Sequence, residues 1–350
     1  MKIALDFRFI GKSGIGTFVE NIVDELIKNH PEHQYLLITD FGQSLKWKSA
    51  NVNVLGTRIH PFSLKELFCF PVRQINECDA FFTPYINVPG GVRIPVYTTI
   101  HDMVFFDVDG LTSPIGRFVR KLYYRRAVRK SFKIFTVSNF SKDRIQHHFP
   151  TNKEIVVVYN GVSATIQKQQ SNRVEKKDCF VYVGNIKKHK GLRTLVDAYC
   201  MAQNRGMTTK LLIVGNSENF RTADSDIAGI IDNNPNIEFT GWVTNEKLIQ
   251  LIAEAKALVQ PSLYEGFGIP PLEALYLGTN VILSDIPVFK EIYTFLPVTF
   301  FVKGNSVQLS GILQDYAPLS YDKEQIRRQI DSIYSYRNAA QTIVHIIEGL

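Results

Sequence analysis

Apolar residues in this chain fall into short continuous runs, separated by longer stretches where they recur at helical spacing. The run Lys2–Phe9 (KIALDFRF) predicts a buried strand. Thr17–Asn29 (TFVENIVDELIKN) places Phe18, Ile22 and Ile27 at helical intervals. The segment Gly11–Gly16 (GKSGIG) between them predicts a Gly-rich turn. Further strand-like runs are Tyr35–Asp40, Val52–Gly56, Pro95–Asp102, Lys133–Ser138 and Glu154–Gly161. Strands alternating with helical stretches predict βαβ units and a mainly parallel sheet.

Residues Ser163–Asp178 are polar and aperiodic, which predicts an interdomain linker. The alternation then restarts with Cys179–Asn185, a helix near Leu192–Ala202, and Lys210–Asn216. It continues through Ile237–Val243, the helix Asn245–Ala255, Ala257–Ser262, a helix after Pro270, and Asn280–Asp285. The pattern predicts an α/β protein of two doubly wound, Rossmann-like domains in series, residues 1–162 and 179–332. Such sheets place ligands beyond the carboxyl ends of their strands. Two facing domains would form a cleft, and GKSGIG, HD, GNIKKHKG, GWV and PSLYEGFG all sit where strands are expected to end.

A length of 350 residues fits two domains better than one core. The four cysteines form no CxxC pair and no His cluster has zinc spacing, so reduced thiols in a cytoplasmic protein are expected. The first residues meet a charge and a glycine too early for a signal peptide. No apolar run approaches the ~18 residues that span a bilayer. The net charge of +7 favours nucleic acid, anionic lipid or phosphate-bearing ligands. Without a zinc-finger, RRM or KH pattern, nucleic acid is not the expected partner.

Glycines in GKSGIG allow close backbone approach, so the segment serves equally as a tight turn or a binding loop. His101, ending a strand, can donate to an oxyanion or sugar hydroxyl with Asp102 orienting it, or simply cap the strand. The acid pairs Asp107–Asp109 and Asp224–Asp226 read as solvated loop acids rather than metal ligands. In GNIKKHKG, Lys187, Lys188, His189 and Lys190 crowd a helix N-terminus, which opposes the helix dipole unless an anion binds there. In SLYEGFGIPPLEAL, Pro270 and Pro271 suit a first helical turn, with Glu273 in or near it. Glu265 lies in the preceding bend beside Phe267, where an unpaired buried charge would be costly. Two carboxylates flanking exposed N–H groups suit a ligand with hydroxyls at both ends and an anion between, the layout of a nucleotide sugar.

The stretch EGFGIPPLE resembles the E-x7-E motif of retaining glycosyltransferases of family 4, which adopt the GT-B fold. SGIGTF, IHDM, FTVSNFSKD, VVVYNGV, VGNIKKHKG, FTGWV and YSYRNAAQTI resemble the same family in the same order, most closely its mannosyltransferase-like branch. The resemblance implies that Lys190 contacts the donor diphosphate, and that Glu265 and Glu273 meet hydroxyls of the sugar and the ribose. The backbone of Gly266, Phe267, Gly268 and Ile269 would line the sugar and phosphate, with Gly14 and Gly16 facing the same diphosphate. His101 would lie near the transferring sugar and Val243 near the base. Asn185 stands where the family often has arginine, with His189 or Lys188 expected to supply part of the missing charge. Residues 333–350 would form a closing helix that returns to the N-terminal domain.

The implied activity is metal-independent hexose transfer from a nucleotide-diphosphate sugar, GDP-mannose as first guess, with no cofactor. The acceptor would be a saccharide or lipid-linked saccharide in cell-surface polysaccharide synthesis. The alternatives are a sugar-nucleotide epimerase of the same architecture, an NAD-dependent oxidoreductase, for which the GxGxxG pattern is missing, and a sugar-binding module. The densely basic segment Gly116–Lys130 reads as a solvated helix, because its charges spread over more than one face. Peripheral docking to an anionic membrane or a lipid-diphosphate acceptor is the rival reading.

Overall fold

The computed structural model describes residues 1–11, 13–43, 47, 49–169, 174–215 and 225–349. Lys12 of the Gly-rich segment, residues 170–173 of the predicted linker, Asn216 and Asp224 lie outside the described residues. Contacts divide the chain into two units, Met1–Ser163 with Ile333–Leu350, and Ala164–Ser332.

The first unit holds a seven-stranded sheet in the order β3-β2-β1-β4-β5-β6-β7. Its strands are β1 (Lys2–Asp6), β2 (Gln34–Asp40), β3 (Val52–Thr57), β4 (Ala80–Thr83), β5 (Val96–Thr99), β6 (Lys133–Thr136) and β7 (Ile155–Val157). All neighbours pair in parallel, with Ile3 opposite Tyr35 on one side and Ala80 on the other. Burial on both faces explains why the central strands are continuous apolar runs rather than alternating ones. The helix Ser13–Asn29 follows β1 and buries Phe18, Val19, Ile22, Val23 and Leu26. Against it packs the helix Tyr336–Glu348, which buries Ala339, Ala340, Ile343, Val344 and Ile347.

The second unit holds a six-stranded parallel sheet in the order β10-β9-β8-β11-β12-β13. The strands are β8 (Cys179–Val183), β9 (Lys210–Val214), β10 (Ile237–Gly241), β11 (Ala257–Gln260), β12 (Asn280–Ser284) and β13 (Val298–Phe301). The helices Leu192–Gln203 and Ser306–Gln314 pack together and close one face over Phe180, Leu195, Tyr199, Ile213 and Leu309. Both sheets run in the Rossmann order 3-2-1-4-5-6, which reverses beside the first strand. The crevices for ligands therefore lie past the carboxyl ends of β1 and β4 in one unit, and of β8 and β11 in the other.

Three local differences from the sequence expectations have physical causes. The helix after β1 starts at Ser13 instead of Thr17, so Gly14 and Gly16 are in its first turn and only Gly11, at φ +69°, remains in the turn. A Cβ on Gly16 would lie 2.3 Å from the Phe9 carbonyl oxygen, so glycine lets the helix start press against the chain leaving β1. β1 ends at Asp6, and Arg8 leaves the sheet to pair with Asp6 and Glu66. The helix after β11 begins at Ile269, earlier than the expected start after Pro270, so Glu273 sits just past its first turn.

Candidate functional site

In the second unit, the loop leaving β8 forms a single 3-10 turn at Lys188–Lys190, then the helix Leu192–Gln203 begins. The loop leaving β11 runs through Ser262–Gly268 into the helix Ile269–Leu277. Two backbone contacts join these loops, because the His189 carbonyl accepts from Leu263 N at 2.8 Å and Tyr264 N at 3.2 Å. Gly191 lies at φ +68°, and a Cβ there would be 2.0 Å from the Pro261 carbonyl oxygen. Only glycine allows both the left-handed turn and this approach. Gly268, at φ +93°, plays the same part before the second helix, where a Cβ would meet the Phe289 ring at 2.4 Å.

This scaffold brings Lys190 and Glu265 together. Lys190 Nζ lies 2.8 Å from Glu265 Oε1 and 2.7 Å from Oε2, and the Ser262 hydroxyl donates to Oε1 at 2.8 Å. Both side chains are largely buried, at 23% and 10% exposure. An ammonium has three donors, so with two directed at Glu265 one remains for a ligand oxygen. Beside the pair begin two helices whose N-caps, Gly191 and Gly268, offer no side-chain cap; the first leaves first-turn N–H groups to an anion, whereas Pro270 and Pro271 have no N–H, so the second contributes only that of Ile269. Gly215 also comes close to the Gly184 carbonyl, at 2.1 Å from a Cβ, which lets the ends of β8 and β9 converge. The Tyr182 hydroxyl, His189 Nδ1 and Gln260 Oε1 are buried with no hydrogen-bond partner among the described residues. Unpaired polar atoms of this kind are costly unless a polar guest or water meets them.

The basic turn does not act as a block of charge. Lys187, Lys188 and Asn185 are exposed, while His189 is buried. Burial and then the Lys190 charge pull His189 down to about 4, so the ring is neutral near pH 7 and does not replace a missing arginine. Glu273 is half-buried, and burial pushes its carboxyl up to about 7. It has no hydrogen bond or ion pair among the described residues, so an incoming hydroxyl would be its first partner. Gly266 and Phe267 are buried and Gly268 and Ile269 half-buried in the same loop. Val243 is half-buried past the end of β10.

In the first unit, His101 follows β5 and meets Phe18 of the first helix edge to face at 5.0 Å. This places the ring beside the helix whose first turn holds Gly14, exposed, and Gly16, buried. The Pro84 carbonyl can only accept, so the 2.8 Å contact with His101 Nε2 puts the proton on Nε2 and leaves Nδ1 as an acceptor. Burial pulls His101 down to about 4, which keeps it neutral. Asp102 Oδ1 accepts from Val104 N at 3.0 Å. Asp107, expected to be solvated, pairs instead with Arg144 at 2.5 Å and His148 at 2.6 Å.

Two features of this unit lay beyond the sequence reading. Arg8, Asp6, Glu66 and Tyr85 form a buried network past β1, with Arg8 held 2.6 Å from each carboxylate. Its signal was the pair of charges at Asp6 and Arg8 within an apolar run, tolerable only when paired. The other feature is the helix Pro114–Lys130, which buries Tyr124, Ala127 and Val128. It exposes Ile115, Phe118, Val119 and Leu122 at 78%, 60%, 41% and 48%. These four sit at i, i+3, i+4 and i+7, so the solvent face carries an apolar stripe, contrary to the solvated helix expected. A recess of about 440 Å³ beside it is lined by Phe106, Arg117, Phe118, Lys121, His148 and neighbours.

Two family models match, Glycosyltransferase Family 4 over residues 12–165 and Glycosyl transferases group 1 over residues 163–309. The chain belongs to glycosyltransferase family 4. Among relatives of this family, the O-antigen chain mannosyltransferase RfbU of Salmonella typhimurium is 32% identical over 207 residues, covering 56% of this chain and 54% of the relative. The chain therefore spans about half the length of that relative. An uncharacterized glycosyltransferase of Methanocaldococcus jannaschii is 25% identical over 293 residues, 78% of this chain and 74% of that protein. The sucrose-phosphate synthase of Thermosynechococcus elongatus shares the fold at a TM-score of 0.75 and 17% identity, covering 100% of this chain and 98% of that one. The two Rossmann-like units are those of the GT-B fold, as expected from the sequence.

Proposed function

We propose that this family 4 protein transfers a hexose, with retention, from a nucleotide-diphosphate sugar to a saccharide or lipid-linked saccharide of a cell-surface polysaccharide. The observation that carries the reading is the Lys190–Glu265 pair, set between two uncapped helix N-termini at the switch point of the second sheet. Breaking a glycosyl–phosphate bond builds positive charge on the sugar and negative charge on the departing diphosphate. The free donor of Lys190, the first-turn N–H groups of the helix after Gly191 and the single N–H of Ile269 absorb that negative charge with no metal in the scheme. Glu265, already ordered by Ser262, accepts from sugar hydroxyls, and Glu273 accepts from the ribose. The backbone of Gly266–Ile269 follows the sugar and phosphate, and Val243 lies by the base. Neutral His101 accepts a hydrogen bond at Nδ1 from a hydroxyl of the transferring sugar, and the helix start at Gly14 and Gly16 meets the diphosphate. A diphosphate leaves without a general acid, unlike the alkoxide of glycoside hydrolysis. Mannose, carried by GDP, is the proposed donor, supported by relatives named as mannosyltransferases.

The acceptor side draws on the first unit. The recess beside the helix Pro114–Lys130 offers Arg117, Lys121 and His148 to a phosphate and Phe106, Phe118 and Phe149 to apolar or sugar faces. We place the protein on the cytoplasmic side of an anionic membrane, touching it with the face that carries Ile115, Val119 and Leu122. No helix among the described residues is long and apolar enough to cross a membrane. Incubation with GDP-mannose, UDP-glucose or UDP-galactose and lipid-linked or free saccharide acceptors tests the reading by product analysis. A donor altered equally without acceptor would identify an epimerase, and no turnover with any donor would remove the assignment.

A further inference from the structure

The turn between the first helix and β2 reads His30-Pro31-Glu32-His33, and the structure folds its three side chains onto one point. The ligand atoms of His30, Glu32 and His33 all lie within 4.8 Å of one another. Glu32 Oε1 is 3.3 Å from His30 Nδ1 and 3.7 Å from His33 Nε2. Glu348, in the last turn of the closing helix, brings Oε1 to 3.1 Å from His33 Nε2. A tetrahedral metal with bonds of about 2.0–2.2 Å to nitrogen and oxygen sets its ligands about 3.3–3.6 Å apart. The contacts at 3.1, 3.3 and 3.7 Å bracket that range; the mutually close cluster comprises His30, Glu32 and His33, and Glu348 reaches it through His33.

His33 decides between a metal and simple ion pairs. The residue is 4% exposed, and Nε2 is buried with no hydrogen bond among the described residues although two carboxylates lie within 3.7 Å. A buried imidazole nitrogen facing carboxylates without a hydrogen bond is costly as a free group and satisfied as a metal ligand. Glu32 and Glu348 also bring two carboxylates to the histidines, a donor set whose negative charge a dication cancels. His33 Nδ1 faces the Met1 nitrogen at 3.3 Å.

We propose that His30, Glu32, His33 and Glu348 bind one zinc-class divalent ion, clamping the C-terminal helix to the first helix of the N-terminal unit. Imidazole and carboxylate ligands suit Zn²⁺. The sequence reading found no zinc spacing because the histidines are separated by only two residues and the fourth ligand lies at the other end of the chain. This inference is independent of the transfer reaction.

The full-length protein, stripped with EDTA and dialysed, is titrated with Zn²⁺ against a chromophoric chelator and with Co²⁺ by visible absorption. One equivalent of Zn²⁺ is expected to bind, to raise the melting temperature, and to give with Co²⁺ the intense bands of a four-coordinate site. His33→Ala is expected to abolish binding. His30→Gln and Glu32→Gln, on the more exposed rim, keep the fold by circular dichroism and are expected to weaken affinity at least ~10-fold. No stoichiometric binding by the folded protein would overturn the proposal, as would binding that these rim variants leave unchanged.

Discussion

Lys190 and Glu265, 75 positions apart, meet as a two-point ion pair at 2.8 and 2.7 Å between the loops leaving β8 and β11. The pair is held by backbone on one side and by the Ser262 hydroxyl on the other, so its geometry exists before any ligand arrives. Truncating either member leaves a largely buried charge without its partner. Lys190→Ala and Glu265→Ala are each expected to lower turnover by at least ~100-fold, the scale of one electrostatic contact to a transition state. The double variant should lose less stability than the sum of the singles. Steady-state kinetics and denaturant titration check both, and near-normal turnover in a folded single variant would remove these roles.

Gly191→Ala tests the junction of the two loops. Its left-handed backbone alone costs a side chain about 1–3 kcal/mol. The Pro261 carbonyl, 2.0 Å from the new Cβ, must also move. The variant is expected to lose stability by urea unfolding and to lose nucleotide binding. Gly14→Ala is the contrast, since nothing lies within 4 Å of its Cβ. Alanine in a helix there should be neutral or stabilising by up to ~1 kcal/mol.

Glu273 makes stability fall as pH rises. Its carboxyl is pushed from 4.5 up to about 7 by burial. Between those values the folded state holds a proton that the unfolded state has released. The associated stability is therefore complete below pH 4.5 and lost as pH climbs through 7, at most about 3 kcal/mol. Glu273→Gln should flatten this slope in urea titrations at pH 5 to 8. A ribose donating to the ionised carboxylate would also expel the proton, so GDP should bind more tightly at pH 8 than at pH 6. Calorimetry in buffers of different ionisation enthalpy reads that proton directly.

His101 and His189 act with the opposite sign. Burial holds each near 4 instead of 6.5. Between those values the unfolded chain takes up protons that the folded protein refuses, so stability declines as pH drops from 6.5 toward 4, by up to about 3 kcal/mol for each ring. His189→Gln and His101→Gln should each make the acid limb shallower. An acid limb unchanged in both would show the rings to be accessible to protons.

Much of the architecture was legible because parallel strands buried on both faces are continuous apolar runs, as in Cys179–Val183 and Asn280–Ser284. β4 and β13, AFFT and VTFF, escaped and are identified by their pairing with β1 and β5 and with β12. Glu265 stood out as a carboxylate in a Gly-rich bend, but its bond to Lys190 depends on loop geometry that spacing does not encode. Glu273 was legible as an acid in or near a first turn because two prolines precede it, and its burial was not. The helix had in fact started at Ile269, with Pro270 and Pro271 just inside it. His189 counted as a cation by residue type, and only burial shows it to be neutral.

The basic helix Pro114–Lys130 supplies the last prediction. Its buried face is set by Tyr124, Ala127 and Val128, and the opposite face runs from apolar Ile115, Val119 and Leu122 to cationic Arg125, Arg129 and Lys130. Apolar groups of this size gain by entering an interface, and each lysine or arginine near anionic lipid adds about 1 kcal/mol, roughly fivefold in affinity. The protein should float with vesicles containing phosphatidylglycerol and less so with neutral ones. Arg125→Glu with Arg129→Glu should abolish flotation at physiological salt. Ile115→Ser with Leu122→Ser should leave a weaker association that salt removes entirely, since only the charged component would remain. Equal flotation with anionic and neutral vesicles, or flotation untouched by either pair of changes, would show that this face is not the one that meets lipid.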